Sequence, residues 1–231
     1  MIQHSSNSRK SRRSLILILA LILTLTSTTA LAFAQIDYTQ WDSNGAYPND
    51  VVNTSYFTSV KYLMDKKVLT GYPEDNTFRV ENPMTRAEFA TAIVKLKNRT
   101  SELTANSQLS LFNDLAGYDW AKAYINTASQ IGYIKGTGAG TFSPAKNISY
   151  AEVITILIRS QGGAASEIES YGKWPDNYIR YATMYNMLGD VTVKDWKAPA
   201  ARGDVAKLMY RFTAKKTTTS AITVNLYGAN N

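Results

Sequence analysis

The chain has 231 residues, 45% of them hydrophobic, with 25 Lys and Arg against 18 Asp and Glu for a formal net charge of +7. It holds a single histidine, His4, and no cysteine. This rules out disulfide staples, thiol–imidazole and Ser-His-Asp catalysis beyond residue 4, and the usual zinc sites, so no catalytic or metal-binding residue and no cofactor is assigned.

In chain order, residues 1–34 read as an export signal. Arg9, Lys10, Arg12 and Arg13 precede an apolar run from Leu15 to Leu25, and Ala32-Phe33-Ala34 is a small-x-small cleavage site that leaves Gln35 as the new N-terminus. The apolar run approaches spanning length, so an uncleaved anchor is the alternative. The Thr/Ser-rich end of the run and the Ala-Phe-Ala site favour cleavage, with no stable membrane span afterwards. Residues 1–34 contain 4 basic and no acidic residues, so the remainder has 21 basic against 18 acidic, a balance of +3. That remainder has no dense basic cluster, and no nucleic-acid partner is expected.

Residues 35–45 read as a polar lead-in, followed by a first unit at 46–97. Its first helix carries Tyr56, Val60, Leu63 and Met64 on one face. A loop from Gly71 leads to a second helix at Thr85, burying Phe89, Ile93, Val94 and Leu96. A polar spacer (98–110) precedes a second unit at 111–160. Its helices carry Trp120, Tyr124, Ile125 and Ala128, then Val153, Ile154, Leu157 and Ile158. Gly132 and Gly136 are expected to close the first of these helices. After a second spacer (161–169), residues 170–212 repeat the spacing with Trp174, Tyr178, Ile179 and Ala182, then Arg202, Val205, Leu208, Met209 and Phe212. In the tail, 213–231, Ile222, Val224 and Leu226 alternate with polar residues. This is strand periodicity too short to stand alone, so the segment either pairs with another edge or hangs free.

One motif punctuates these units. Thr85-Arg86-Ala87-Glu88 returns as Ser149-Tyr150-Ala151-Glu152 and as Ala201-Arg202-Gly203-Asp204, each closing a similar stretch that starts at Gly71, Gly136 and Leu188. Such self-similarity points to three stacked units rather than one undivided domain. Thr85 with Glu88, and Ser149 with Glu152, are capping boxes. Ala201 cannot cap, so its helix start is either weaker or held by tertiary contacts, with Asp204 favoured by the dipole. The motif sets Arg86, Tyr150 and Arg202 at the first helical position, beside free amides and the positive end of a dipole, where an arginine fork can hold a carboxylate. Gly71 and Gly136 either let a ligand approach the backbone or serve as helix C-caps. Trp120 and Trp174 either pack with their Ile and Ala neighbours or offer a flat face to a sugar. Asp50 and Asp114 either cap their helices or turns or meet a ligand.

Gly71-Tyr72-Pro73, Thr77-Phe78-Arg79 and Asn82-Pro83-Met84-Thr85-Arg86-Ala87-Glu88-Phe89 together resemble the S-layer homology (SLH) domain. So do Phe112-x-Asp114, Trp120-Ala121, Ile125, Gly132, Gly136, Gly140-Thr141-Phe142-x-Pro144 and Ala151-Glu152. The resemblance covers three units at about residues 46–212, and it is weakest in the third. It implies an all-α fold, three helix-loop-helix repeats in a pseudo-threefold bundle with grooves between them; the alternation in the tail adds a short β segment as one of its two alternatives. It further implies a secreted protein held noncovalently on the bacterial cell wall or S-layer by secondary cell wall polysaccharide bearing a pyruvate ketal. Under it, Arg86 and Arg202 are anion ligands, Asp50 and Asp114 sugar-hydroxyl partners, and Gly71 and Gly136 groove backbone. Trp120 and Tyr150 are stacking or hydrogen-bonding partners. Tyr150 supplies no charge, and Ile168 stands near where a third aspartate belongs, so fewer than three competent grooves are expected, with the best at Arg86. The alternative is a structural envelope component with decayed grooves that assembles with other envelope proteins. No enzyme is expected, since no stretch outside the units is large enough for a catalytic domain.

Overall fold

The loops between helices carry as much of this fold as the helices do. The computed structural model describes residues 45–162 and 165–213; the export signal and the alternating segment at 222–226 lie outside that range. The regular secondary structure of the described residues is helical apart from isolated β-bridges, and none of these helices is long and apolar enough to cross a membrane.

Helix α1 is Phe57–Asp65 and buries Phe57, Val60 and Leu63. Helix α2, Arg86–Leu96, starts on the capping box predicted from sequence. Thr85 accepts from the Glu88 amide, and the Glu88 carboxylate accepts from the Thr85 amide at 2.7 Å. It buries Phe89, Ile93 and Val94 as expected, while Leu96 is only half-buried. The 98–110 spacer contains a short helix, α3, at Leu103–Asn106, tied down because Asn126 donates to the Asn106 and Leu109 carbonyls. Helix α4 is Asp119–Gln130, and α5 is Tyr150–Gln161 on the second capping box. Helix α6, Ala165–Ser170, buries Ile168, α7 is Asp176–Met184, and α8 runs over residues 202–213. Helix α2 packs on α4, and α5 on α7.

Helices α1, α4 and α7 end alike. A residue in the left-handed region (Lys67, Gly132, Asn186) turns the chain, and the following amide reaches back to a carbonyl of the last turn: Val68 to Leu63, Tyr133 to Ala128, Met187 to Ala182. Only one of the three is glycine, and neither Gly71 nor Gly136 has this role.

The helix starts interlock in a ring. Arg86 and Ala87 amides donate to Lys146 and Pro144 carbonyls in the loop before α5. Tyr150 and Ala151 donate to Ala198 and Trp196 in the loop before α8. Arg202 and Gly203 donate to Asn82 and Val80 in the loop before α2. At the centre, Met84 donates to Ala200, Ala200 to Ile148, and Ile148 to Met84, at 3.3, 2.8 and 2.9 Å. All three residues are fully buried. The first two free N–H groups of each of these three helix starts are thus met by the neighbouring loop. This also explains why the uncapped Ala201 start survives: its helix is held by the 66–85 loop instead of a side-chain cap.

Candidate ligand-binding grooves

The same ring sets the first helical residue of one helix against the acidic residue three positions into the start of the next. Arg86 meets Glu152, Tyr150 meets Asp204, and Arg202 is drawn electrostatically to Glu88. The three junctions differ sharply.

At the first, Arg86 is 2% exposed. Its Nη1 donates to Glu152 Oε1 at 2.6 Å, its Nε to the Phe142 carbonyl and its Nη2 to the Lys135 carbonyl, both at 2.9 Å. The guanidinium also lies 4.7 Å over the Phe142 ring. Burial pushes its pKa below the ordinary value, opposed by Glu152. Glu152 is equally committed, since its other oxygen completes the Ser149 capping box. Arg86 therefore forms the floor of its groove, with every nitrogen engaged by protein.

At the second junction, Arg202 is 6% exposed and lies 4.6 Å over the Phe78 ring. Its Nη2 donates to the Thr70 carbonyl at 2.7 Å, but its buried Nε has no hydrogen-bond partner. Burial lowers this pKa too.

The third junction is filled. Tyr150 donates to Asp204 at 2.6 Å and accepts from the Ala201 amide. A Cβ on Gly203 would come within 2.7 Å of the Tyr56 ring, so the aromatic ring occupies the space that Ala87 and Ala151 use in their helices. Burial, then the bond to Asp204, push the Tyr150 phenol up to about 12. Tyr185, bonded to Glu167, is also raised to about 12. The unfolded chain, with tyrosines at the ordinary value of 10.0, therefore loses these protons first. Stability is full below about pH 10 and falls as the pH rises towards about 12. A thermal-melting series over that range is expected to show Tyr150→Phe flattening part of the slope, with Tyr185 accounting for another part.

Asp50 and Asp114 lie inside the fold as loop staples. Asp114 accepts from the Phe142 and Ser143 amides, and Asp50 from the Phe78 and Arg79 amides, at 2.7–2.9 Å for the shortest contacts. They cap neither their helices nor the adjoining turns. Gly71 and Gly136 are required by close packing: a Cβ would lie 3.0 Å from the Thr77 carbonyl oxygen in one case and 2.5 Å from that of Thr141 in the other. Gly136 still presents backbone to the groove. Trp120 and Trp174 are 54% and 53% exposed, so neither packs into the core with the Ile and Ala that share its spacing. The Trp174 indole is fixed by donating to the Thr155 hydroxyl at 2.9 Å.

A cavity of about 360 Å³ opens above Arg86, walled by Trp174 and lined by Lys135, Lys146 and Arg159. Glu152 is its one carboxylate, already neutralised by Arg86. Sequence reasoning passed over these three cations because they fall outside the repeated tetrapeptide; only the place of Lys135 beside Gly136 marked one of them. Among the described residues no group of His, Cys, Asp and Glu can hold a metal ion.

Fold and site define a ring of helix-loop-helix elements with cation-lined clefts and half-exposed tryptophans. Within this frame, residues 49–90 and 111–154 match the family model of the S-layer homology domain. The Middle cell wall protein of Brevibacillus brevis is 28% identical over 151 residues, covering 65% of this chain and 14% of that protein. The Cellulosome-anchoring protein of Acetivibrio thermocellus is 32% identical over 126 residues, covering 53% of this chain and 28% of that protein. A Cell surface protein of Thermoanaerobacter kivui is 27% identical over 158 residues, covering 68% and 20%. The chain thus spans less than a third of the length of each of these relatives.

Proposed function

We propose that this protein attaches noncovalently to the bacterial cell wall as a secreted binding module, with no catalytic step, by holding an acidic polysaccharide in its grooves. The cavity above Arg86 carries the reading: three accessible cations, one neutralised carboxylate and a fixed, half-exposed indole suit a sugar that bears a carboxylate. A pyruvate ketal on secondary cell wall polysaccharide has this chemistry. The matched S-layer homology segments and the cell-wall, anchoring and surface names of the relatives support the location. Residues 170–212 are proposed as a third, diverged repeat, supported by the cyclic hydrogen bonds among the three helix starts. The unmet Arg202 Nε favours a second groove, while Tyr150 and Tyr56 close the third.

Co-sedimentation of the purified protein with cell walls, before and after chemical removal of their acidic polysaccharide, tests this. Retention is expected only on untreated walls, and equal retention on both overturns the reading. Trp174→Ala is expected to weaken binding about tenfold, or about 1.4 kcal/mol. Its unfolding free energy should fall by only about 1 kcal/mol, because the indole is half exposed and loses one hydrogen bond.

A further inference from the structure

A second cavity, of about 520 Å³, is also lined by Trp174. It shares Lys146, Glu152 and Trp174 with the first and adds Lys197, with Pro175 and Pro199 as apolar walls. Both volumes fall in the range of about 300–1,000 Å³ usual for small-ligand sites. The side chains at their junction are not free to close it. Glu152 is pinned through both oxygens, and the Trp174 indole is anchored to Thr155. The backbone amides of Tyr150 and Ala151, at the edge of the second cavity, are consumed by Ala198 and Trp196. An anion entering there is therefore met by lysine side chains rather than by the helix start. With Glu152 neutralised by Arg86, Lys146 and Lys197 leave this cavity net positive as well.

Resting on the proposed glycan reading, we infer that the site is an extended one: an acidic polysaccharide crosses Trp174, with one sugar in each cavity. Lys197, together with Lys146, meets a second negative group. The site then reads successive residues of a chain, and a single acidic sugar occupies only half of it. Affinity should rise with ligand length until both cavities are filled.

Calorimetric titration of the purified protein with a synthetic pyruvate-ketal hexose glycoside, and with the trisaccharide repeating that unit, tests this. The trisaccharide is expected to bind more tightly than the monosaccharide. Lys197→Ala should cost it about fivefold, the scale of one exposed ion pair of about 1 kcal/mol. The monosaccharide, seated above Arg86, should change by less than about twofold. Equal affinity of wild type for both lengths, or equal losses for both ligands in Lys197→Ala, overturns the extended site and leaves the glycan reading standing. Failure of wild type to bind either ligand overturns both.

Discussion

Replacing Arg86 with alanine is expected to lower the unfolding free energy by about 3–5 kcal/mol, the usual cost of stranding one partner of a buried ion pair. Three acceptors lose their donor at once: Glu152 and the carbonyls of Phe142 and Lys135. They belong to α5 and to two stretches of the 131–149 loop, so the change loosens the wall of the main cavity as well as its floor. Arg86→Lys should recover only a minor part, because a single ammonium cannot span acceptors placed for a planar fork. Arg202→Ala should cost less, since Arg202 makes one hydrogen bond and already leaves its Nε unmet. Urea denaturation of the three variants measures this order. Wild-type stability in Arg86→Ala, combined with lost glycan affinity, would instead return Arg86 to direct ligand contact.

The contrast between Arg86 and Arg202 marks how far the sequence could be read. The main helices and both capping boxes were legible, because local patterning sets them: apolar residues at helical spacing, and Thr or Ser three residues before Glu. What each arginine does at the first helical position was not. That depends on a carbonyl some fifty residues away, Phe142 for Arg86, with a sequence separation of 56. A cation beside a helix dipole reads as an anion site only while its neighbours are unknown. Once the adjoining loop supplies two carbonyls and the helix after it a carboxylate, the same geometry is a structural clamp. The reverse holds for the tryptophans. Trp120 and Trp174 share a periodicity with Ile and Ala, yet Trp120 lies in the first turn of its helix and Trp174 just before its own, both about half exposed, and the Trp174 indole is held by the Thr155 hydroxyl of α5.

The repeated tetrapeptide thus has two tasks that its three copies divide differently. The acidic residue at the third helical position bonds the first helical residue of the preceding copy at two junctions, Glu152 to Arg86 and Asp204 to Tyr150, and at the other Glu88 attracts Arg202 electrostatically, so the motif closes the ring whether that residue is Arg or Tyr. Ligand chemistry depends on what the clamp leaves over. Around Arg86 it leaves Lys135, Lys146 and Arg159 facing a cavity. At Arg202 it leaves one unmet donor, and at Tyr150 a phenol already committed to Asp204. In these copies the charge and the opening go together: the two arginine junctions keep a cavity or an unmet donor, and the tyrosine junction is filled.

Asp114→Ala is expected to be nearly as damaging as Arg86→Ala, and for a connected reason. Its carboxylate holds the Phe142 and Ser143 amides, which have no other acceptor among the described contacts. Leaving both unpaired costs about 1–3 kcal/mol each, so a total of roughly 2–6 kcal/mol is expected. The Phe142 carbonyl is also the acceptor for Arg86 Nε, so release of the loop should unseat the clamp. Double mutation to alanine at 86 and 114 should then fall short of the sum of the single losses, because both act through one loop. Asp114→Asn, which keeps one acceptor oxygen, should recover part of the loss. Denaturation gives the energies, and amide hydrogen exchange at Phe142 and Ser143 should show protection falling first there. If exchange at these amides were unchanged while glycan affinity fell, Asp114 would be a sugar contact. The loop would then be held by its remaining anchors, the Asn113 amide on the Gly140 carbonyl and the Arg86 fork on the Phe142 and Lys135 carbonyls.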